Sequence, residues 1–277
     1  MFISTNSLAG AEWAKTWMKW NKEEVSIAAL DFEGYDGIDW DLEGNDAPSS
    51  PWNTFSPECM RLVGEMSQGL KAHGFLVSLV PPQSYLDVTS PLYDRSLLHS
   101  YSGFHPDFAY HGANVYALWL SKYGMTGKRQ TFDFVDVQLY EGFSRAGEAI
   151  VAHGMDPATY IVEWARALQK GWWVDFAHDA ASEWNSTMVR VPANQLVVGF
   201  SHGAQKLPHE KSIFIPPSDV AKAWAILKRH ERPRGVMFWN MENDGGSCWY
   251  PNGTHKNVSF AQEFNGFLHT RVAAASE

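Results

Sequence analysis

Five short strand-like runs, separated by stretches with helical spacing, restrict this chain to a sheet of parallel strands. The runs are residues 37–43 (GIDWDLE), 75–80 (FLVSLV), 134–140 (FVDVQLY), 195–200 (QLVVGF) and 235–241 (GVMFWNM). FLVSLV is apolar almost throughout, as in strands covered on both faces. Helices are expected over residues 10–32, 57–73, 113–123, 156–170, 217–230 and 259–270. Ser56 and Gly74 bracket the second as cap and stop, and Ser218 or Asp219 would cap the fifth. Strand and helix in alternation imply right-handed βαβ units.

The first run carries the chemistry. Residues 36–43 place Asp39, Asp41 and Glu43 at every second position, with Ile38, Trp40 and Leu42 between them. Successive side chains of a strand point to opposite faces, so one face is acidic and the other apolar. A buried row of like charges is costly, so a chain rarely carries one without a use, and the uses that suit it are acid/base chemistry or a metal. The same alternation sends Asp136, Gln138 and Tyr140 inward from the third run and puts Met237, Trp239 and Met241 on one face of the fifth. Oxygen ligands suit Mg²⁺ or Ca²⁺. The tyrosine and tryptophan partners fit a sugar better, so neither a metal nor another cofactor is expected. Asp36 has the wrong parity for the acidic face and is read, with Gly37, as shaping the start of the strand. Trp40 faces the helices.

Composition narrows the partners. The net charge is −9 with no basic stripe, which argues against nucleic acid. No run of about 18 apolar residues exists, so no membrane span is expected. Residues 1–17 lack the charged and apolar regions of a signal peptide. Aromatic residues make up 14% of the chain; they serve either core packing or the stacking of sugar rings. Trp13, Trp17 and Trp20, at helical spacing, are read as core. Trp52, Tyr85, Trp249 and Tyr250 follow strands and are either sugar platforms or loop packing. His73, His202 and His209 are read as surface or loop residues. Two cysteines, Cys59 and Cys248, exclude a disulfide framework. Sequons at Asn185, Asn252 and Asn257 hint at a secreted parent protein.

The octamer resembles the Asp-x-x-Asp-x-Asp-x-Glu pattern of glycoside hydrolase family 18, the chitinases and their relatives. Gln138-Leu139-Tyr140 is similar to the family's Gln-x-Tyr element. Gly235–Trp239 resembles its eighth-strand segment, and Val80-Pro81-Pro82-Gln83 the end of its fifth strand. The resemblance implies an α/β fold, a (β/α)8 TIM barrel whose active face is the C-terminal end of the strands. In that family the octamer lies on the fourth strand. Here 35 residues precede it, room for one helix at roughly 30 residues per βα unit. Ser7-Leu8-Ala9-Gly10 is a degraded echo of the family's Ser-x-Gly-Gly element. The expectation is a barrel truncated at its N-terminal side, with about five βα units, strands four to eight. Residues 1–271 would form this partial catalytic domain and residues 272–277 a frayed tail.

The resemblance also implies roles. Glu43 would be the general acid and then the base, and the substrate's own N-acetyl oxygen the nucleophile. Asp41 would orient the acetamide, and Asp39 would share a proton with it. Tyr140 would hold the acetamide oxygen, Gln138 and Gln83 would bind substrate, and Trp239 would stack beneath the sugar. Glu141 stands where the family usually has Asn or Asp. The implied partner is chitin or an N-acetylglucosamine oligomer. The alternatives are an endo-β-N-acetylglucosaminidase acting on N-glycans, and a non-catalytic chitin-binding lectin or inactive fragment; such lectins commonly lack the terminal Glu of the octamer.

Overall fold

A computed structural model of the chain describes residues 9–44, 53–96, 113–141, 144–179, 184–202, 213–250 and 254–269. Trp52, His209, Asn252 and the 272–277 tail lie outside these residues. The centre is a five-stranded sheet of β1 (Gly37–Trp40), β2 (Leu76–Leu79), β3 (Phe134–Gln138), β4 (Leu196–Ser201) and β5 (Gly235–Trp239). The strands lie side by side in chain order, and every pairing is parallel. The protein is therefore α/β, with β1 and β5 at the two edges. Among the described residues, six α-helices accompany the sheet: α1 (Gly10–Trp20), α2 (Pro57–Ala72), α3 (Ala117–Lys122), α4 (Pro157–Lys170), α5 (Pro217–Ile226) and α6 (Phe260–Leu268). Helix α1 packs on α2, α4 on α5, and α5 on α6.

One face of the sheet is the core. Val77, Leu79, Val135, Val137, Leu196, Val198 and Phe200 are buried there. Trp40 Nε1 donates to Ser67 Oγ of α2 at 2.9 Å, and Phe238 meets Phe260 and Phe264 of α6 edge-on. The opposite face carries Asp39, Asp41, Ser78, Asp136, Gln138, Gly199, Met237 and Trp239. Its middle is buried, at Ser78, Asp136 and Gln138, and its two margins are open: Asp39 on β1 and Asp41 just after it are exposed, as is Trp239 on β5. Much of the aromatic content is core, with Trp119, Tyr85, Tyr93, Tyr116 and Phe176 fully buried.

Several sequence expectations are corrected. The first helix stops at Trp20 rather than near residue 32; a single wide turn covers Asn21–Val25 and a short 3-10 turn Ala28–Leu30. The cause is Asn21, whose buried amide accepts from Tyr35 N and donates to Tyr35 O, both at 2.8 Å. This ties the helix end to the segment that leads into β1. Trp20 is partly exposed and stacks on Tyr35. Helix α5 starts at Pro217 with no side-chain cap, so neither Ser218 nor Asp219 caps it; proline at the first helical position has no N–H to satisfy. Trp172–Val174, outside the five expected strands, pairs antiparallel with Thr187–Val189. His202 is buried, with Nε2 2.7 Å from Val258 O. Ser56 and Ser259 cap α2 and α6 as donor-accepting side chains. Both cysteines are free thiols, and no helix among the described residues is long and apolar enough to cross a membrane.

Candidate active site

The carboxylate row begins where β1 is squeezed against its neighbour. A Cβ at Gly37 would lie 2.0 Å from Leu76 O, a separation only glycine tolerates. From there Leu76 N donates to Asp36 O at 2.9 Å and Val80 N to Trp40 O at 2.8 Å. The next donor in this series is the nitrogen of Pro82, which carries no hydrogen. The strand therefore leaves the ladder after Trp40, three residues before Glu43. The buried hydroxyl of Tyr116 replaces the lost rung: it accepts from Leu42 N at 2.7 Å and donates to Leu42 O at 3.0 Å. The equally buried hydroxyl of Tyr85 accepts from Gly44 N at 3.1 Å. The backbone on either side of Glu43 is thus held by two phenols from other elements. Burial pushes the Tyr116 hydroxyl well above the usual phenol range, so it remains the neutral donor and acceptor that both bonds need.

Gln138 gathers the acidic side chains. From β3 its Nε2 reaches across β2, donating to Val80 O at 2.9 Å, Asp41 Oδ1 at 3.0 Å and Glu43 Oε1 at 3.1 Å. Two amide hydrogens serve three acceptors, so one of them is shared. Asp39 accepts from Ser78 Oγ. Loss of solvent raises the Asp39 carboxyl, the Ser78 bond opposes this, and the Asp41 charge adds to it. Asp41 is likewise raised by desolvation, against hydrogen bonds from Glu43 and Gln138.

Three further groups belong to this cluster. Asp136 is pushed up to about 8 by burial, then by the charges of Asp39 and Asp41. Burial also raises Tyr140, followed by Glu141, Asp41, Glu43 and Asp136. The carboxyl of Glu141 is raised by burial and by Glu43 and Asp41, and its Oε2 is buried without a hydrogen-bond partner. Burial is the largest cause of the upward shift at Asp39, Asp41, Asp136 and Glu141, and acidic neighbours add to it at Asp39, Asp136 and Glu141. The result is a cluster beside Glu43 in which burial and like charge both favour protonated carboxyls. No group of three or more His, Cys, Asp or Glu among the described residues is arranged to hold a metal ion.

The structure thus brings together Asp39, Asp41, Glu43 and Gln138, with Tyr140 close enough to feel their charge. Trp239 is on the far edge strand, four strand spacings from β1, or up to roughly 19 Å at about 4.8 Å each. Gln83 is corrected: it is buried, its Nε2 donates to Tyr160 Oη at 2.7 Å, and its Oε1 accepts from Ala146 N at 2.9 Å. Both ends of its amide are used in packing, so it is a structural residue and not a sugar contact. Tyr85 is a brace and not a platform, and Tyr250 packs edge-on against Phe214. Asp36 is exposed and supplies its carbonyl to the ladder. Sequence reasoning overlooked Tyr116. The adjacent prolines 81 and 82 were the available signal, since a strand beside them must find other partners.

No protein-family model and no curated protein matches this chain. Among solved structures it is similar to the GH18 chitinase ChiB from the chitin utilization locus of Flavobacterium johnsoniae. The identity is 16% and the TM-score 0.35, over 86% of this chain and 67% of that one.

Proposed function

We propose that the chain carries the hydrolytic centre of a family 18 type glycosidase, cleaving β-1,4 bonds of chitin or N-acetylglucosamine oligomers with retention. The observation that carries this reading is the single Gln138 amide joining Asp41 and Glu43, beside a backbone braced on both sides of Glu43. Breaking a glycosidic bond requires a proton on the leaving oxygen. Glu43 delivers it, and the bond between that oxygen and the anomeric carbon breaks. The substrate's N-acetyl oxygen forms the new bond to the anomeric carbon, giving an oxazolinium ion. Asp41 accepts from the acetamide N–H and offsets the positive charge, while the Tyr140 hydroxyl, kept protonated by burial, donates to the acetamide oxygen. Glu43, now a carboxylate, takes a proton from water as that water opens the ring. Trp239 offers its exposed face to a neighbouring sugar.

In this reading the five βα units correspond to strands four to eight of the eight-unit barrel, and residues 1–271 form one partial catalytic domain. The exposed sequon asparagines Asn185 and Asn257 fit a parent protein that meets its glycan outside the cell. The test is turnover of fluorogenic N-acetylglucosamine trimers against a fluorogenic high-mannose glycan. Release from the trimer supports the proposal; release from the high-mannose glycan alone moves the assignment to an N-glycan-cleaving enzyme. A second reading, glycan binding without turnover, is favoured by the openness of the two sheet margins, where Asp41, Glu43 and Trp239 are all exposed. Calorimetric binding of the trimer without product would select it.

A further inference from the structure

We propose that Asp136 is held as a neutral, protonated carboxyl through neutral pH and acts as a positioning residue that limits the negative charge beneath Asp39 and Asp41. Asp136 lies on β3, two residues before Gln138 and on the same face of the sheet. It is 6% exposed, and its Oδ1 is buried without a hydrogen-bond partner. The donors nearby are committed: Ser78 Oγ to Asp39, and the Gln138 amide to Asp41, Glu43 and Val80 O. An ionised carboxylate here would be desolvated, unbonded and next to two acids, three costs of the same sign. A protonated one adds an O–H donor to a site in which acceptors outnumber donors.

The neighbouring strands leave room for this oxygen and no charge to balance it. A Cβ at Gly199 would lie 3.2 Å from Asp136 Oδ1 and 3.1 Å from Met237 Cε, so glycine on β4 preserves the space. The titratable groups facing Asp136 are Asp39 of β1, Asp41 just beyond it and Tyr140 just beyond the end of β3. β2 presents Ser78, β4 Gly199 and β5 Met237, and none of these is charged. The raised carboxyl, near pH 8, agrees with this geometry.

Loss of the Asp136 proton adds a third charge under the row and disturbs the placement of Asp41 against Glu43. Only this effect on rate rests on the hydrolytic reading; the proton itself can be observed independently. The test is carboxyl-carbon NMR of the full chain carrying labelled aspartate, titrated alongside Asp136→Asn, which mimics the shape and neutrality of the protonated acid. One wild-type resonance is expected to titrate with a midpoint near pH 8 and to be missing from the variant. Midpoints below about 6, closer to the usual aspartate range, for every aspartate resonance would overturn the proposal. If Asp136→Asn does not fold, the wild-type titration decides alone. With a fluorogenic N-acetylglucosamine trimer, wild-type kcat/KM is expected to fall as pH passes 8 while Asp136→Asn holds its rate. Superimposable alkaline limbs would remove the positioning role. Absence of turnover in both proteins overturns the hydrolytic reading, and the titration still decides the state of Asp136.

Discussion

The hydroxyl of Tyr116 bonds both backbone groups of Leu42, at 2.7 Å from its nitrogen and 3.0 Å from its oxygen, where the adjacent strand can offer only the nitrogen of Pro82. The residue before Glu43 is therefore held by a side chain 74 positions away and not by the sheet. Tyr116→Phe removes one oxygen and leaves both groups without their partner. A loss of about 1–2 kcal/mol is expected, read by urea denaturation. The fall in kcat should exceed any rise in KM, because the acid is displaced while the sugar-binding surface stays intact. Unchanged stability together with unchanged kcat would refute the bracing role.

Gln138 donates to both Asp41 and Glu43. Gln138→Leu keeps the volume and deletes the donors. The loss of one hydrogen bond to a charged group, at about 1.5–3 kcal/mol, already corresponds to slowing by roughly 10- to 100-fold, and turnover should fall by at least that much. The bond from Gln138 lowers the Asp41 pKa, so its removal raises it further. The acid limb of the pH–rate profile should then move to higher pH. A limb that stays in place would separate Gln138 from the ionisation of Asp41.

Replacing the acid itself gives the opposite pattern. Glu43→Gln retains shape and hydrogen bonding but cannot deliver a proton. Turnover should fall by about 10²–10⁴-fold. Thermal stability should hold or rise, since one charge leaves a crowded acidic row. Turnover at the wild-type rate would remove Glu43 from the mechanism.

Gly37→Ala tests the close approach of β1 and β2. A methyl group 2.0 Å from a backbone oxygen cannot be accommodated without separating the strands. Destabilisation of about 1–3 kcal/mol or more is expected, with hydrogen exchange rising at Leu76 N and Val80 N. Wild-type protection at these amides would contradict the geometry.

Glu231 gives a pH test far from the site. Arg166 and the Lys228 backbone N–H hold its carboxyl down at about 2. A depressed carboxyl contributes stability above its unfolded value, and this is lost as pH falls through the folded one. The contribution should therefore fade between about pH 4 and pH 2. Because the Arg166 pair is exposed, the effect should be small and weaken in salt. Glu231→Gln should flatten this part of the acid-unfolding curve and leave the neutral region unaltered.

The strands were legible because a period of two is hard to mistake. Asp39, Asp41 and Glu43 share a side, and Gln138 meets two of them, as parity requires. The helix set by Ser56 and Gly74 was equally readable, since capping is local. What escaped the sequence depends on partners distant in the chain. The end of β1 at Trp40 is decided by the register that brings Pro82 opposite Leu42. The end of α1 is decided by Asn21 finding Tyr35. Gln83 follows a strand, as a sugar contact would, yet its amide is taken up by Tyr160 and Ala146. The inward side of Asp136 follows from the alternation in FVDVQLY, but its lack of a hydrogen-bond partner is a property of the assembled sheet.

The neighbour-by-neighbour order of the five strands also has a kinetic meaning. Each strand pairs with the one that precedes it in the sheet, and among the described residues no pairing joins β1 to β5. Loop closure is then divided into modest steps instead of one long one. Such a sheet can assemble rung by rung from Gly37 onward as the polypeptide emerges during synthesis, with each new βα unit settling on a finished template.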